Sequence, residues 1–270
     1  MKFPRIPLPP LLGSLLLLAA CATGPQIDTR YVSRSQDSRV LFIVLHYTAN
    51  DFQTSLGKLT AGQVSAHYLV SDSRDGKPVR TYRLVDETMR AWHAGLSEWL
   101  GHVQLNAASI GIELVNDGWA DTPQGRVYEP YPPEQIEAVV ALVKDISRRH
   151  RIKPERIVGH SDVQPHMKLD PGPLFPWKRL ADEGLIVWPD AARVADGRAR
   201  FAGNIPPVAW FQERLAVHGF GSNVPRSGQL DESTCNVLSA FQMKYRPRLY
   251  DGTPDEETAA LLSALTEGSP

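Results

Sequence analysis

The segment Ile157-Val158-Gly159-His160-Ser161-Asp162-Val163-Gln164-Pro165-His166-Met167-Lys168-Leu169-Asp170-Pro171-Gly172-Pro173-Leu174 decides how the chain is read. It sets His160 directly after a short apolar strand, then uses a Pro-rich loop to return Lys168 and Asp170 beside it. One imidazole and one carboxylate do not close a zinc shell, because zinc takes about four ligands and a catalytic site leaves one of them to water. A second histidine is therefore required from elsewhere. His46 is the best placed, at the end of the apolar run Val40-Leu41-Phe42-Ile43-Val44-Leu45, since a buried strand delivers its last residue to the sheet edge where sites form. Two His and one Asp with an open position make a candidate catalytic zinc site. His166 lies four residues before Asp170 and competes with His160 by distance alone, but His160 has the strand behind it.

A length of 270 residues allows two domains, and 42% hydrophobic residues with a net charge of −1 suit a globular chain that does not bind nucleic acid. Residues 1–20 read as an export signal: Lys2 and Arg5 precede the apolar run Leu11 to Ala20, which is too short to span a bilayer. Its end, Leu18-Ala19-Ala20-Cys21, resembles a bacterial lipobox, which implies cleavage before Cys21, lipidation of its thiol and anchoring. Ala22, rather than an aspartate, then implies the periplasmic face of the outer membrane. Lipidation of Cys21 leaves only Cys235, so no intramolecular disulfide is expected despite export. Residues 21–38 are polar, without period, and read as a tether.

Residues 39–189 read as the catalytic domain. Ser65 to Val70 is a second strand-like run, and the turn Asp75-Gly76-Lys77-Pro78 allows Val79 to Leu84 to return antiparallel to it. Ala91 to Gly95 reads as loop. Ser109-Ile110-Gly111-Ile112-Glu113-Leu114-Val115 is a strand carrying one carboxylate, and period 2 alone reads Glu113 equally well as an outward-facing residue. Pro133 opens a helix whose Ile136, Val139, Val140, Val143 and Ile146 form a core-facing stripe. Strands and helices mix without a strict repeat, so the expected fold is α+β or α/β, one mixed sheet flanked by helices.

The blocks His46-Tyr47-Thr48-Ala49, Ala91-Trp92-His93-Ala94-Gly95, Ser109 to Glu113, Gly159-His160-Ser161-Asp162 and Lys168-Leu169-Asp170-Pro171-Gly172-Pro173 occur together and in order. In this the chain resembles the type 2 family of N-acetylmuramoyl-L-alanine amidases, from about Val40 to Trp188. The resemblance implies the peptidoglycan-recognition-protein fold, with Zn2+ on His46, His160 and Asp170. It also implies Glu113 and Lys168 as catalytic residues, and peptidoglycan or muropeptides as the partner. The implied reaction cleaves the amide between the lactyl group of N-acetylmuramic acid and the L-alanine of the stem peptide. Those residue types suit it: a glutamate carries protons, and a lysine offsets the charge of a tetrahedral oxyanion. Trp92 with His93 reads as a possible wall of the substrate groove, and Tyr47, Asn50 and His67 as further substrate contacts.

Residues 190–206 lose the apolar period and read as a linker. Beyond them, in 207–270, Gly228 to Leu238 repeats as Gly252 to Leu262, each copy a turn followed by an Asp suited to cap a helix. Three short helices make a small all-α unit. Through Gln212, Leu215, Gly219, Phe220, Phe241, Gln242, Asp251 and Gly252 it resembles a peptidoglycan-binding three-helix domain, and a cap on the catalytic domain is the other reading.

Overall fold

A computed structural model describes residues 24–74 and 76–267; the export signal, Cys21 and Asp75 lie outside the described residues. Residues 24–37, within the expected tether, contain no helix or strand, and an Asp28–Arg30 ion pair is local to them. Residues 38–267 run β1 (Phe42–Tyr47), α1 (Phe52–Ala61), β2 (Tyr68–Val70), β3 (Thr81–Arg83), β4 (Glu98–Trp99), β5 (His102–Val103), β6 (Ser109–Leu114), β7 (Trp119–Thr122) and β8 (Gly125–Tyr128). There follow α2 (Pro133–His150), β9 (Ile157–Gly159), α3 (His160–Val163), α4 (Trp177–Asp182), α5 (Ala191–Phe201), α6 (Val208–Leu215), α7 (Glu232–Tyr245) and α8 (Glu256–Thr266). Among the described residues no helix is long and apolar enough to cross a membrane.

The main sheet has the order β3-β2-β6-β1-β9, parallel except for the antiparallel edge strand β3, so it is mixed and flanked by helices as expected. β1 and β6 are interior strands covered on both faces, which is why their sequences are apolar almost without interruption. Ile43, Leu45, Ile110, Ile112 and Leu114 meet the stripe of α2 on one face. Phe42 and Val44 belong to a second cluster with Trp99, Phe211, Leu215 and Phe241. His46 shares the parity of Phe42 and Val44, and the register sets it directly opposite Glu113.

The expected linker is a helix instead. Asp190 caps α5, accepting from the Arg193 N–H at 3.0 Å, and Gly197 and Phe201 are buried. A Cβ on Gly197 would come within 2.9 Å of the Ala260 Cα on α8. The contact face of α5 is built of small residues because α8 approaches so closely, and such a face carries no large apolar stripe to read. Among the described residues the all-α unit therefore has four α-helices. Its internal repeat is also structural: Gln212 and Gln242 are buried, each bonded to the glycine of one turn, Gly228 or Gly252, and to the capped Thr234 or Thr258. Asp231 and Asp255 cap α7 and α8 as expected. Helix α1 and the β7–β8 hairpin had no signal in the sequence reading.

Candidate metal centre

β1 ends by projecting His46, β9 hands over to His160 at the start of α3, and the following loop returns Asp170. His46 Nδ1 lies 3.0 Å from His160 Nδ1 and 2.9 Å from Asp170 Oδ2, and His160 Nδ1 lies 3.1 Å from the same oxygen. All three residues are buried, and they could together hold a metal ion. Zinc bonds of about 2.0–2.2 Å in a tetrahedron set donor atoms about 3.3 Å apart, close to this triangle. With both rings in the Nε2–H form, two imidazole lone pairs and a carboxylate oxygen turn toward one point, so the donor set fits a metal. His166 is exposed, its Nε2 3.0 Å from the Asn223 carbonyl oxygen, and takes no part.

Burial holds His46 down at about pKa 4, helped by His160 and opposed by Asp170. Burial would raise Asp170, but His160 and then His46 hold it below the ordinary carboxylate range. Glu113 differs from both. Its Oε2 is enclosed with no hydrogen-bond partner, although part of the residue stays accessible, and burial followed by the Asp170 charge pushes its carboxyl well above the usual range. Lys168 opposes that rise, and its charge reaches His46 as well. Its ammonium makes no hydrogen bond or ion pair among the described residues. A carboxyl of raised proton affinity and an uncommitted cation thus flank a triangle that could hold a metal.

Residues 36–173 match the N-acetylmuramoyl-L-alanine amidase family and residues 204–262 a peptidoglycan binding domain. The chain is 44% identical to the N-acetylmuramoyl-L-alanine amidase AmiD of Escherichia coli, over 95% of this chain and 96% of that protein. The chain belongs to the N-acetylmuramoyl-L-alanine amidases. Solved structures agree: that of E. coli AmiD with the substrate anhydro-N-acetylmuramic acid-L-Ala-D-γ-Glu-L-Lys superposes with a TM-score of 0.80 at 43% identity, covering 90% of this chain and 95% of that one. AmpDh3 of Pseudomonas aeruginosa, in complex with anhydromuramic pentapeptide, gives 0.83 at 39% identity, covering 91% and 98%.

In this amidase the residues expected to touch substrate separate. His93 and His67 are buried and face inward rather than lining a groove. His93 sits behind His46, its Nδ1 3.1 Å from His46 Nε2, and His67 Nδ1 accepts the Gly111 N–H at 3.0 Å. His67 stands at the start of β2, its backbone N–H donating to the Gly111 carbonyl at 3.0 Å, whereas His93 comes from a loop, so the alternation of a single strand could not show that the two rings meet. Trp92 is 51% exposed and stacks under the Arg90 guanidinium at 3.9 Å. Asn50 is tied locally, donating to the Thr48 carbonyl at 2.7 Å and accepting from Lys58 at 2.9 Å. Tyr47 is half-buried above Gly118, where a Cβ would lie 2.9 Å from its ring, and burial together with Asp170 raises its hydroxyl pKa. The hairpin that begins one residue after Gly118 carries Trp119 under Arg126, 3.7 Å from the ring centre. Its sequence alternates too weakly to have marked it.

Proposed function

We propose that His46, His160 and Asp170 hold a zinc ion and that the protein hydrolyses the bond between the N-acetylmuramic acid lactyl group and L-alanine, 1,6-anhydro-muropeptides included. The observation that carries this reading is the triangle of donors within 3.1 Å of one another, with Glu113 in register beside His46. The substrate complexes of the two similar proteins support the choice of muropeptide. When bound, zinc supplies Lewis acidity, which makes water nucleophilic near pH 7 and polarises a carbonyl. Glu113 takes a proton from the attacking water at its carboxylate and passes one to the leaving nitrogen, so the C–N bond breaks to a free amine as the new C–O bond gives the lactyl carboxylate. Lys168 offsets the charge that develops on the carbonyl oxygen. Asp170 supplies the one anionic donor.

Mass spectrometry of an anhydro-muropeptide digested by the zinc-loaded protein starting at Ala22 tests this. Release of the intact stem peptide with a free L-alanine amino terminus is expected; cleavage within the stem peptide, or none with zinc at one per chain, overturns it. The Leu18 to Cys21 signature supports export and lipid anchoring at the outer membrane through Cys21. Cys21→Ala should end acyl labelling and release the protein from the membrane fraction, and unchanged membrane association would count against the anchor.

A further inference from the structure

The ring nitrogen of His46 that faces away from the ligand triangle leads into a chain of hydrogen bonds that ends on a backbone carbonyl. His46 Nε2 lies 3.1 Å from His93 Nδ1, His93 Nε2 lies 3.1 Å from Ser109 Oγ, and Ser109 Oγ lies 2.6 Å from the Leu105 carbonyl oxygen. Two oxygens that close must share a proton, and the carbonyl has none, so the Ser109 hydroxyl donates to Leu105. Its oxygen is then left to accept, and the hydrogen on that side belongs to His93 Nε2. A neutral His93 has no second hydrogen. Its Nδ1 accepts, and among the described residues the only donor facing it is His46 Nε2–H. We infer that Ser109 and His93 are positioning residues that lock His46 in its Nε2–H tautomer, leaving the Nδ1 lone pair for the metal.

A ligand histidine ordinarily donates its outer N–H to a carboxylate or a carbonyl, acceptors with no tautomer of their own. Here the acceptor is another imidazole, whose tautomer must be set in turn, and Ser109 sets it. His160 has no such support, since its Nε2 is buried without a hydrogen-bond partner among the described residues. The strand is shaped for this arrangement. Ser109, Gly111 and Glu113 share one face of β6 at alternate positions, and a Cβ on Gly111 would stand 2.4 Å from His93 Cγ. Asn106 Oδ1 accepts both the His93 and Ala94 N–H groups at 2.9 and 2.8 Å, which fixes the backbone that carries the ring.

The inference rests on the zinc reading, and two measurements keep the two apart. Long-range 15N NMR of the full chain without metal reads the His46 tautomer directly; the Nε2–H form is expected, and the Nδ1–H form in the wild type overturns the relay whether or not zinc binds. Zinc affinity, measured by competition with a chromophoric chelator, is expected to fall about 10- to 100-fold in His93→Leu. His93→Asn, whose amide oxygen can stand where Nδ1 stood, should recover most of the loss. Ser109→Ala removes one atom, should keep the fold, and should let the apo protein show a mixture of His46 tautomers. Folded His93→Leu or Ser109→Ala protein with wild-type zinc affinity and a single tautomer sinks the relay, whereas a wild type that binds no zinc sinks the metal reading alone.

Discussion

At the residue scale the site works by giving neighbouring carboxyl groups different surroundings. Asp170 meets two imidazole nitrogens and stays anionic, whereas Glu113 has an enclosed oxygen with no partner and holds its proton more tightly. Glu113→Gln keeps shape and removes the proposed proton carrier, so zinc should remain near one per chain while amide cleavage falls by about 10² to 10⁴, measured on the same samples. An unchanged rate would assign the proton transfer to another group. A different histidine governs acid stability. The His218 ring is surrounded by Trp99, Phe220, Phe241 and Tyr245, and burial, helped by Lys244, pushes it down to about 3 from an ordinary 6.5. The unfolded chain takes up this proton below about 6.5 and the folded chain does not, so its stabilising effect is complete above that pH and is lost as pH falls toward 3. Urea unfolding at pH 7 and pH 5 should show the wild type losing roughly 2 kcal/mol relative to His218→Phe over that interval. Parallel losses in the two proteins would mean that the ring is protonated in the native state.

At the element scale, strand β6 and helix α5 show how a missing side chain directs packing. Gly111 lies under His93, and Gly197 lies on Ala260. In an exposed helix Gly→Ala stabilises by about 1 kcal/mol. At Gly197 the added methyl would meet backbone, and overpacking costs about 1–3 kcal/mol, so Gly197→Ala should lower stability instead. A rise in melting temperature would show that α5 and α8 can move apart at little cost. The same close approach explains why the segment reads as linker: helices that touch through Gly and Ala have no large apolar residues to announce the contact. The strands of the main sheet were legible for the opposite reason, since burial on both faces demands continuous apolar runs. The caps at Asp231 and Asp255 were legible because capping is local, one side chain reaching an N–H three residues on.

At the scale of the whole molecule, the helical unit is joined to the segment that carries His160 through buried charge. Lys244 on α7 places Nζ 2.8 Å from Asp162 Oδ2 and 4.3 Å above the Trp177 ring, and the pair is almost wholly buried, at 5% and 2% exposure. The same carboxylate oxygen accepts the Gly159 N–H at 2.8 Å, one residue before His160. Lys244→Met would leave Asp162 uncompensated, a change that costs about 3–5 kcal/mol when one partner of a buried pair is removed. Denaturant unfolding should show that loss, together with weaker zinc retention, and adding Asp162→Asn should recover part of both. Independence of zinc retention from Lys244 would make the helical unit a detachable module. Gln212 and Gln242, which carry its resemblance to wall-binding domains, are occupied by internal hydrogen bonds.

The sequence by itself determined the family and the mixed sheet, and it singled out the three residues that the fold brings together as possible metal ligands, with Glu113 and Lys168 beside them. These are carried by runs, caps and motif blocks whose physics acts over a few residues, and by one strand end that must project its last side chain. What only the tertiary structure decided is where the remaining histidines face and how the helical unit attaches. His93 and His67 look alike in sequence to groove residues, yet the fold turns them inward, because Gly111 leaves room for one ring and supplies the N–H for the other. Lys244 reads as an ordinary helix lysine until α7 lies against α3, where a carboxylate 82 positions away in the chain makes its burial tolerable.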